Sequence, residues 1–236
     1  MSRLTHHLPV LEYHRIGEPR PDHVPTVSTH SFERQMAWLA RWRYRVMALD
    51  DVAQAMERGA PVPRWSAVIT FDDGYEDNYT VAWPILKRFG FPAIVFVTPT
   101  EVGLPGFATW EQLARMAADG FAVGSHTMHH AYIPATPEAR LMEELAESKR
   151  MIEERIGRRV DFLSYPIGGY TPRAQAVARD AGYRAACTTN RGTSFALADR
   201  YAIRRIKMSE RDRHPLLLGA KLSGYYDLFR ALKRPG

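Results

Sequence analysis

The 236-residue sequence has one cysteine, Cys187, so no disulfide can form within the chain. It contains no apolar run long enough to cross a bilayer. It has no internal repeat, no low-complexity tract and no long block of like charge. Its 32 Lys and Arg against 26 Asp and Glu give a net charge of +6. That excess is mostly Arg scattered along the chain, the pattern of a solvated surface and not of a nucleic-acid-binding arm. The one modest basic cluster is Phe229-Arg230-Ala231-Leu232-Lys233-Arg234, which leaves peripheral contact with an anionic membrane surface open. Met1 to His7 lack the apolar stretch of a secretory signal, so the expected location is the cytoplasm.

What is present suits a full core. The chain is 45% hydrophobic and 25% charged, which excludes global disorder. One domain over 1–236 is expected, with a core over about 8–206 and a helical tail over about 213–236. Short apolar runs alternate with helix-like segments. Strands are expected at 8–13, 44–47, 67–71, 93–97, 121–124, 160–163, 184–187 and 202–206. Helices are expected from Ser31 as N-cap to Trp42, from Asp50 to Gly59, up to Phe89, and over 109–118, 136–156, 171–181 and 214–222. Alternation on this scale implies parallel βαβ units, as a barrel or an open sheet. Either form puts chemistry at the carboxyl ends of the strands.

Chemistry-bearing residues fall at those ends. The strand at 67–71 runs into Asp72-Asp73-Gly74-Tyr75. Adjacent carboxylates raise one another's pKa unless a cation offsets them. A metal on Asp73 would leave Asp72 ionised and able to take a proton, although the tetrapeptide alone fits a turn of solvated acids somewhat better. The strand at 121–124 runs into Ser125-His126-Thr127-Met128-His129-His130. His126 and His130, four residues apart, can reach one ion. With Asp73 they make two imidazoles and one carboxylate with open positions, the composition of a catalytic metal site. Cys187, within Arg184-Ala185-Ala186-Cys187-Thr188, reads as core packing.

These motifs resemble the polysaccharide deacetylases, the NodB-homology or carbohydrate esterase 4 family. Thr70-Phe71-Asp72-Asp73-Gly74 is similar to the family's first motif and His126 to His130 to its second. Leu163-Ser164-Tyr165-Pro166-Ile167-Gly168-Gly169 resembles the third, more weakly. The resemblance implies a deformed (β/α) barrel and a divalent metal, zinc first and nickel, cobalt or manganese as alternatives. It implies Asp72 as base, Asp73, His126 and His130 as ligands, and the backbone N–H of Ile167 as an oxyanion donor. The family's third-motif Arg is Ser164 here, so another group must orient Asp72. The family's late motifs, with their general-acid His, are not visible. Leu11-Glu12-Tyr13-His14-Arg15-Ile16 resembles the opening of a branch that includes poly-N-acetylglucosamine deacetylases. It offers His14 as the acid or its support, with His214 as the alternative and a structural His14 also open.

The implied reaction is removal of N-acetyl groups from N-acetylhexosamines of a glycan or its precursor, a chemistry of exopolysaccharide biosynthesis. Tyr75 and Tyr165 are candidate substrate contacts, with Tyr132 and Tyr170 nearby, though tyrosines also serve as packing. Two alternatives stay open: a deformylase or amidase on a lipid-linked sugar or small amide, and a non-catalytic glycan-binding barrel.

Overall fold

Strand β1 (Val10–Tyr13) is buried along its whole length even though it contains Glu12. It pairs in parallel with β5 (Ser66–Phe71), which is also buried throughout. From β5 the sheet continues through β6 (Ile94–Val97), β7 (Ala122–Ser125), β8 (Phe162–Ser164) and β9 (Ala185–Thr188) to β10 (Ile203–Arg204). On its other edge β1 pairs with β11 (Ile206–Lys207). All of these pairings are parallel. Only Arg205 separates β10 from β11, so one chain segment borders both ends of the sheet and nearly closes it into a barrel. The computed structural model describes residues 7–20, 22–189 and 199–224.

The remaining elements fill in around the barrel. A small pair, β2 (Arg15–Ile16) with β3 (Thr26–Val27), precedes helix α1 (Thr29–Arg41). Next come β4 (Arg45–Val46) against the start of β5, and α2 (Leu49–Arg58). Helices α3 (Trp83–Phe89), α4 (Trp110–Ala118), α5 (Ser148–Ile156), α6 (Pro172–Asp180) and α7 (Pro215–Leu222) complete the order.

Period-two alternation divides the strands between two cores. Val10, Val68, Ile94, Phe96, Phe162, Ala185, Cys187 and Ile203 form an inner cluster. Leu11, Ile69, Val95, Val123, Leu163 and Ala186 pack outward against the helices. Cys187 is therefore core, and burial pushes its thiol up to about 12. On the inward parity of each strand, nearer its carboxyl end, the residues turn polar: Glu12, Thr70, Ser164 and Arg205, all buried.

Several expected boundaries shift for identifiable reasons. The α1 N-cap is Ser28, whose hydroxyl accepts from the Ser31 N–H at 3.2 Å; Ser31 lies inside the helix and donates to Glu210 at 2.5 Å. Ala48, not Asp50, caps α2. The helix expected over 136–156 is broken by a π-helical turn at Glu143–Glu147 before α5 begins. The strand expected over 202–206 is split at Arg205. The basic cluster at 229–234 and the second half of the expected tail lie outside the described residues. Among the described residues no helix is long and apolar enough to cross a membrane.

Candidate metal centre and base

The carboxyl ends of the strands converge on a pocket of about 370 Å³ lined by Glu12, His14, Asp72, Asp73, His126, His130, Ile167 and Arg205, among others. Asp72 directly follows β5, and its backbone N–H donates to the Tyr13 carbonyl at 2.9 Å, which locks the β1 and β5 ends together. The chain then turns sharply. Asp73 has φ 71° and Gly74 φ 72°; a side chain on Gly74 would meet Val97 at 2.7 Å, so only glycine fits.

Asp73 Oδ1 lies 3.4 Å from His126 Nε2 and 3.3 Å from His130 Nε2. It is buried and makes no well-formed hydrogen bond. A buried carboxylate oxygen without a partner, facing two imidazole nitrogens, fits a cation. The donor atoms of the three residues lie within 4.8 Å of one another. His126 Nδ1 sits 2.8 Å from the Ser164 carbonyl oxygen, so that nitrogen carries the proton and Nε2 presents its lone pair to the cluster. Burial lowers the His126 pKa, which favours the neutral ligand form. The His130 pKa is raised, chiefly by its contact with Asp73. Burial raises the Asp73 carboxyl, but His130 and His126 outweigh it and the net shift is downward.

The third histidine of the cluster is placed differently. His129 Nδ1 donates to Glu144 Oε1 at 2.9 Å, and Glu144 Oε2 also accepts the backbone N–H groups of Met128 and His129 at 3.1 and 3.0 Å. Glu144 is 3% exposed and projects from the π-helical turn. It holds the histidine loop from behind, in the manner of an outer support that aims metal ligands.

Arg205 orients Asp72. Its guanidinium donates to Asp72 Oδ1 at 2.7 Å and Oδ2 at 2.5 Å, a two-pronged pair, and also to Ser164 Oγ at 2.8 Å and Thr70 Oγ1 at 3.1 Å. It lies over the Phe96 ring at 5.6 Å. Both partners are buried. Burial pushes the Asp72 carboxyl up, but the Arg205 charge, then His126, hold it far below the ordinary carboxylate range. Ser164 therefore does take part, as an acceptor for the Arg that arrives from another strand.

His14 follows β1 and lines the same pocket. Its Nε2 is 3.9 Å from Glu12 Oε1, and its Nδ1 is buried without a hydrogen-bond partner. Glu12 also lies near Arg205, with Oε2 3.8 Å from Nε. Ile167 sits on the rim, 72% exposed, with φ 58° and ψ 1°, a conformation costly for a β-branched residue. Seven described non-glycine residues have left-handed φ, and four of them are Asp73, Thr127, His130 and Ile167. Strain concentrated in this way marks a site held in place by its surroundings.

Three other candidates, Tyr75, Tyr165 and His214, are not among the lining residues, although Tyr75 neighbours Asp73. Tyr75 is buried, stacked on Phe107 at 5.0 Å with Arg15 over its ring at 4.1 Å. Tyr165 is fully buried and stacked on Tyr170 at 5.4 Å. Both rings are packed against neighbouring aromatics, and neither is among the residues that line the pocket. His214 caps α7 and does not line the pocket either. Three side chains that shape the candidate site carry little signal in the sequence: Arg205, Glu12 and Glu144. The only trace of the first two is a charged residue inside an otherwise apolar strand, which demands a buried partner. A larger groove of about 750 Å³ at the opposite end of the barrel has no comparable cluster.

Fold and site together define a β/α-barrel hydrolase with an open two-histidine, one-carboxylate cluster beside an ion-paired acid. The chain belongs to the polysaccharide deacetylase family, whose model matches residues 59–186. It is 29% identical over 220 residues to YxkH of Bacillus subtilis (strain 168), covering 93% of this chain and 76% of that protein. It is 29% identical over 139 residues to the poly-beta-1,6-N-acetyl-D-glucosamine N-deacetylase of Escherichia coli (strain K12), which covers 52% of this chain but only 21% of that enzyme. The solved Streptococcus pyogenes deacetylase PplD, in complex with acetate, superposes with a TM-score of 0.83 at 24% identity. That match covers 91% of this chain and 97% of that one, and it establishes the shared fold.

Proposed function

We propose that this protein hydrolyses the N-acetyl groups of N-acetylglucosamine residues in a glycan, with Asp73, His126 and His130 holding a divalent ion, zinc first. The observation that carries the reading is the ion-paired Asp72 beside an unpartnered Asp73 oxygen that faces two imidazoles. A bound divalent ion supplies Lewis acidity next to the scissile carbonyl, which lets a weakly basic carboxylate serve as base. Asp72 takes the proton of the attacking water. Arg205 keeps that carboxylate ionised and fixed in direction. The rim N–H of Ile167 donates to the oxygen on which negative charge develops. His14, backed by Glu12, gives a proton to the departing amine. The C–N bond breaks, and acetate and a free amino sugar leave.

The substrate class is supported by the family and by the E. coli relative, a poly-beta-1,6-N-acetyl-D-glucosamine N-deacetylase. The test is acetate release from N-acetylglucosamine oligomers by protein stripped with chelator and reloaded in turn with zinc, nickel, cobalt and manganese. Release that depends on metal and is lost in Asp72→Asn supports the proposal. No release with any metal, from either the oligomers or N-acetylated lipid-linked sugars, would favour a binding barrel instead.

A further inference from the structure

The amino ends of the strands carry a second surface with a different chemistry. Trp42, Arg43, Tyr44, Trp65, Gly219 and Ser223 line a groove of about 630 Å³ there. Trp38 stacks on Trp42 at 5.2 Å, and Trp65 meets Tyr44 edge-on at 5.6 Å. Trp65 is 67% exposed, and Leu216, one helical turn before Gly219, is 76% exposed. Three of the chain's five tryptophans therefore sit on one face.

Charge on this face has one sign. The three segments that build it, 34–49, 59–66 and 215–224, contain no Asp or Glu. They carry Arg34, Arg41, Arg43, Arg45 and Arg64, all exposed. The flanking acids are engaged elsewhere, Glu33 with Arg88 and Asp50 with Arg184. The backbone is also strained here. Of the three left-handed non-glycine residues outside the metal centre, two are Arg43, φ 57°, and Trp65, φ 57°. A bulky aromatic side chain is a poor occupant of that conformation, and an exposed one gains nothing from the core in return.

We propose that this face docks the protein onto an anionic lipid surface. Tryptophan and tyrosine settle at the headgroup level of a bilayer, and interleaved Arg meets the negative surface potential. An acid-free, arginine-rich rim around exposed Trp65 and Leu216 has the complementary charge and the apolar anchors for that contact. In sequence, Tyr225-Tyr226 and the 229–234 cluster follow directly, though they lie outside the described residues. Strand β5 separates Trp65 from Asp72 by roughly 20 Å. A bilayer at the amino ends would therefore leave the pocket facing away from it, open to a polymer.

The test uses the full chain with vesicles of phosphatidylcholine alone and of equal parts phosphatidylcholine and phosphatidylglycerol. The expected result is co-sedimentation with the mixed vesicles only, with a blue shift of tryptophan emission and weakening at high salt. Trp65→Gly suits the local φ and should fold; combined with Leu216→Ser it should weaken binding by at least about tenfold. Metal content and acetate release from soluble oligomers should be unchanged, so failure here is separable from failure of the deacetylase reading. Equal binding to both vesicle types, no binding to either, or variants that bind like the parent would overturn the proposal. So would a parental dimer that these variants dissociate, because the face would then belong to a second copy of the chain.

Discussion

Replacing Arg205 by Met should disable the base while sparing the metal ligands. The side chain makes four hydrogen bonds, two of them to the Asp72 carboxylate at 2.5 and 2.7 Å. Stranding one member of a buried ion pair costs about 3–5 kcal/mol. For a chain of this length that is roughly 6–20 °C in Tm. The sign of the pH effect follows from the causes acting on Asp72. With Arg205 present its carboxyl sits low, so the pair stabilises the protein above the ordinary carboxylate range, and that stability fades as pH falls. Without Arg205, burial dominates and raises the carboxyl, so Asp72 becomes protonated at higher pH. The acid limb of kcat/KM should therefore move upward. At neutral pH kcat/KM should fall about hundredfold, the usual scale for a lost general base. Bound metal, measured by elemental analysis, should stay stoichiometric. Arg205→Lys keeps the charge without the fork and should fall between the two. If the Met variant fails to fold, the Lys variant still answers. Arg205→Ser combined with Ser164→Arg, which restores the family's usual Arg position, should recover part of the rate. Folded variants with an unmoved acid limb and parental kcat/KM would refute the argument.

Three further outcomes follow from the site. Glu144→Gln should weaken metal affinity about 10–100-fold in a competition titration, while the Arg205–Asp72 pair stays intact. His126→Ala and His130→Ala should each abolish stoichiometric metal; full metal in both would contradict the ligand assignment. Ile167→Gly relieves a left-handed β-branched residue and should raise stability by about 1 kcal/mol in a thermal melt, with acetate release retained because the backbone N–H remains.

The cluster of candidate metal ligands is legible in the sequence because its parts are local. Asp72-Asp73-Gly74 and His126 to His130 each sit at the end of one apolar run, and the parallel βαβ pattern brings such ends together. The helix stops at Gly59, Gly90 and Gly157 were legible for the same reason, each being a left-handed C-cap. The groups that aim those ligands were not legible. Arg205 reaches Asp72 across 133 residues, and nothing in Ile203-Arg204-Arg205-Ile206 says which Arg points inward. Glu144 was hidden by helical periodicity, because the π-helical turn that carries it leaves the surrounding pattern intact. For Tyr75 and Tyr165 the sequence does not separate two uses, because aromatic residues beside a motif are as useful for packing it as for touching a substrate.

The closing segment Ile203–Lys207 gives the order of synthesis a meaning for activity. The three candidate metal ligands have all been made by residue 130, yet the guanidinium that charges and aims Asp72 comes 75 residues later, in the segment that seals the barrel. A chain interrupted or frayed before that point can gather its histidines and Asp73 but has no directed base. Competence to hydrolyse thus reports that the last stave is seated, whereas metal content reports only that the chain has folded as far as Ser164, whose carbonyl orients His126.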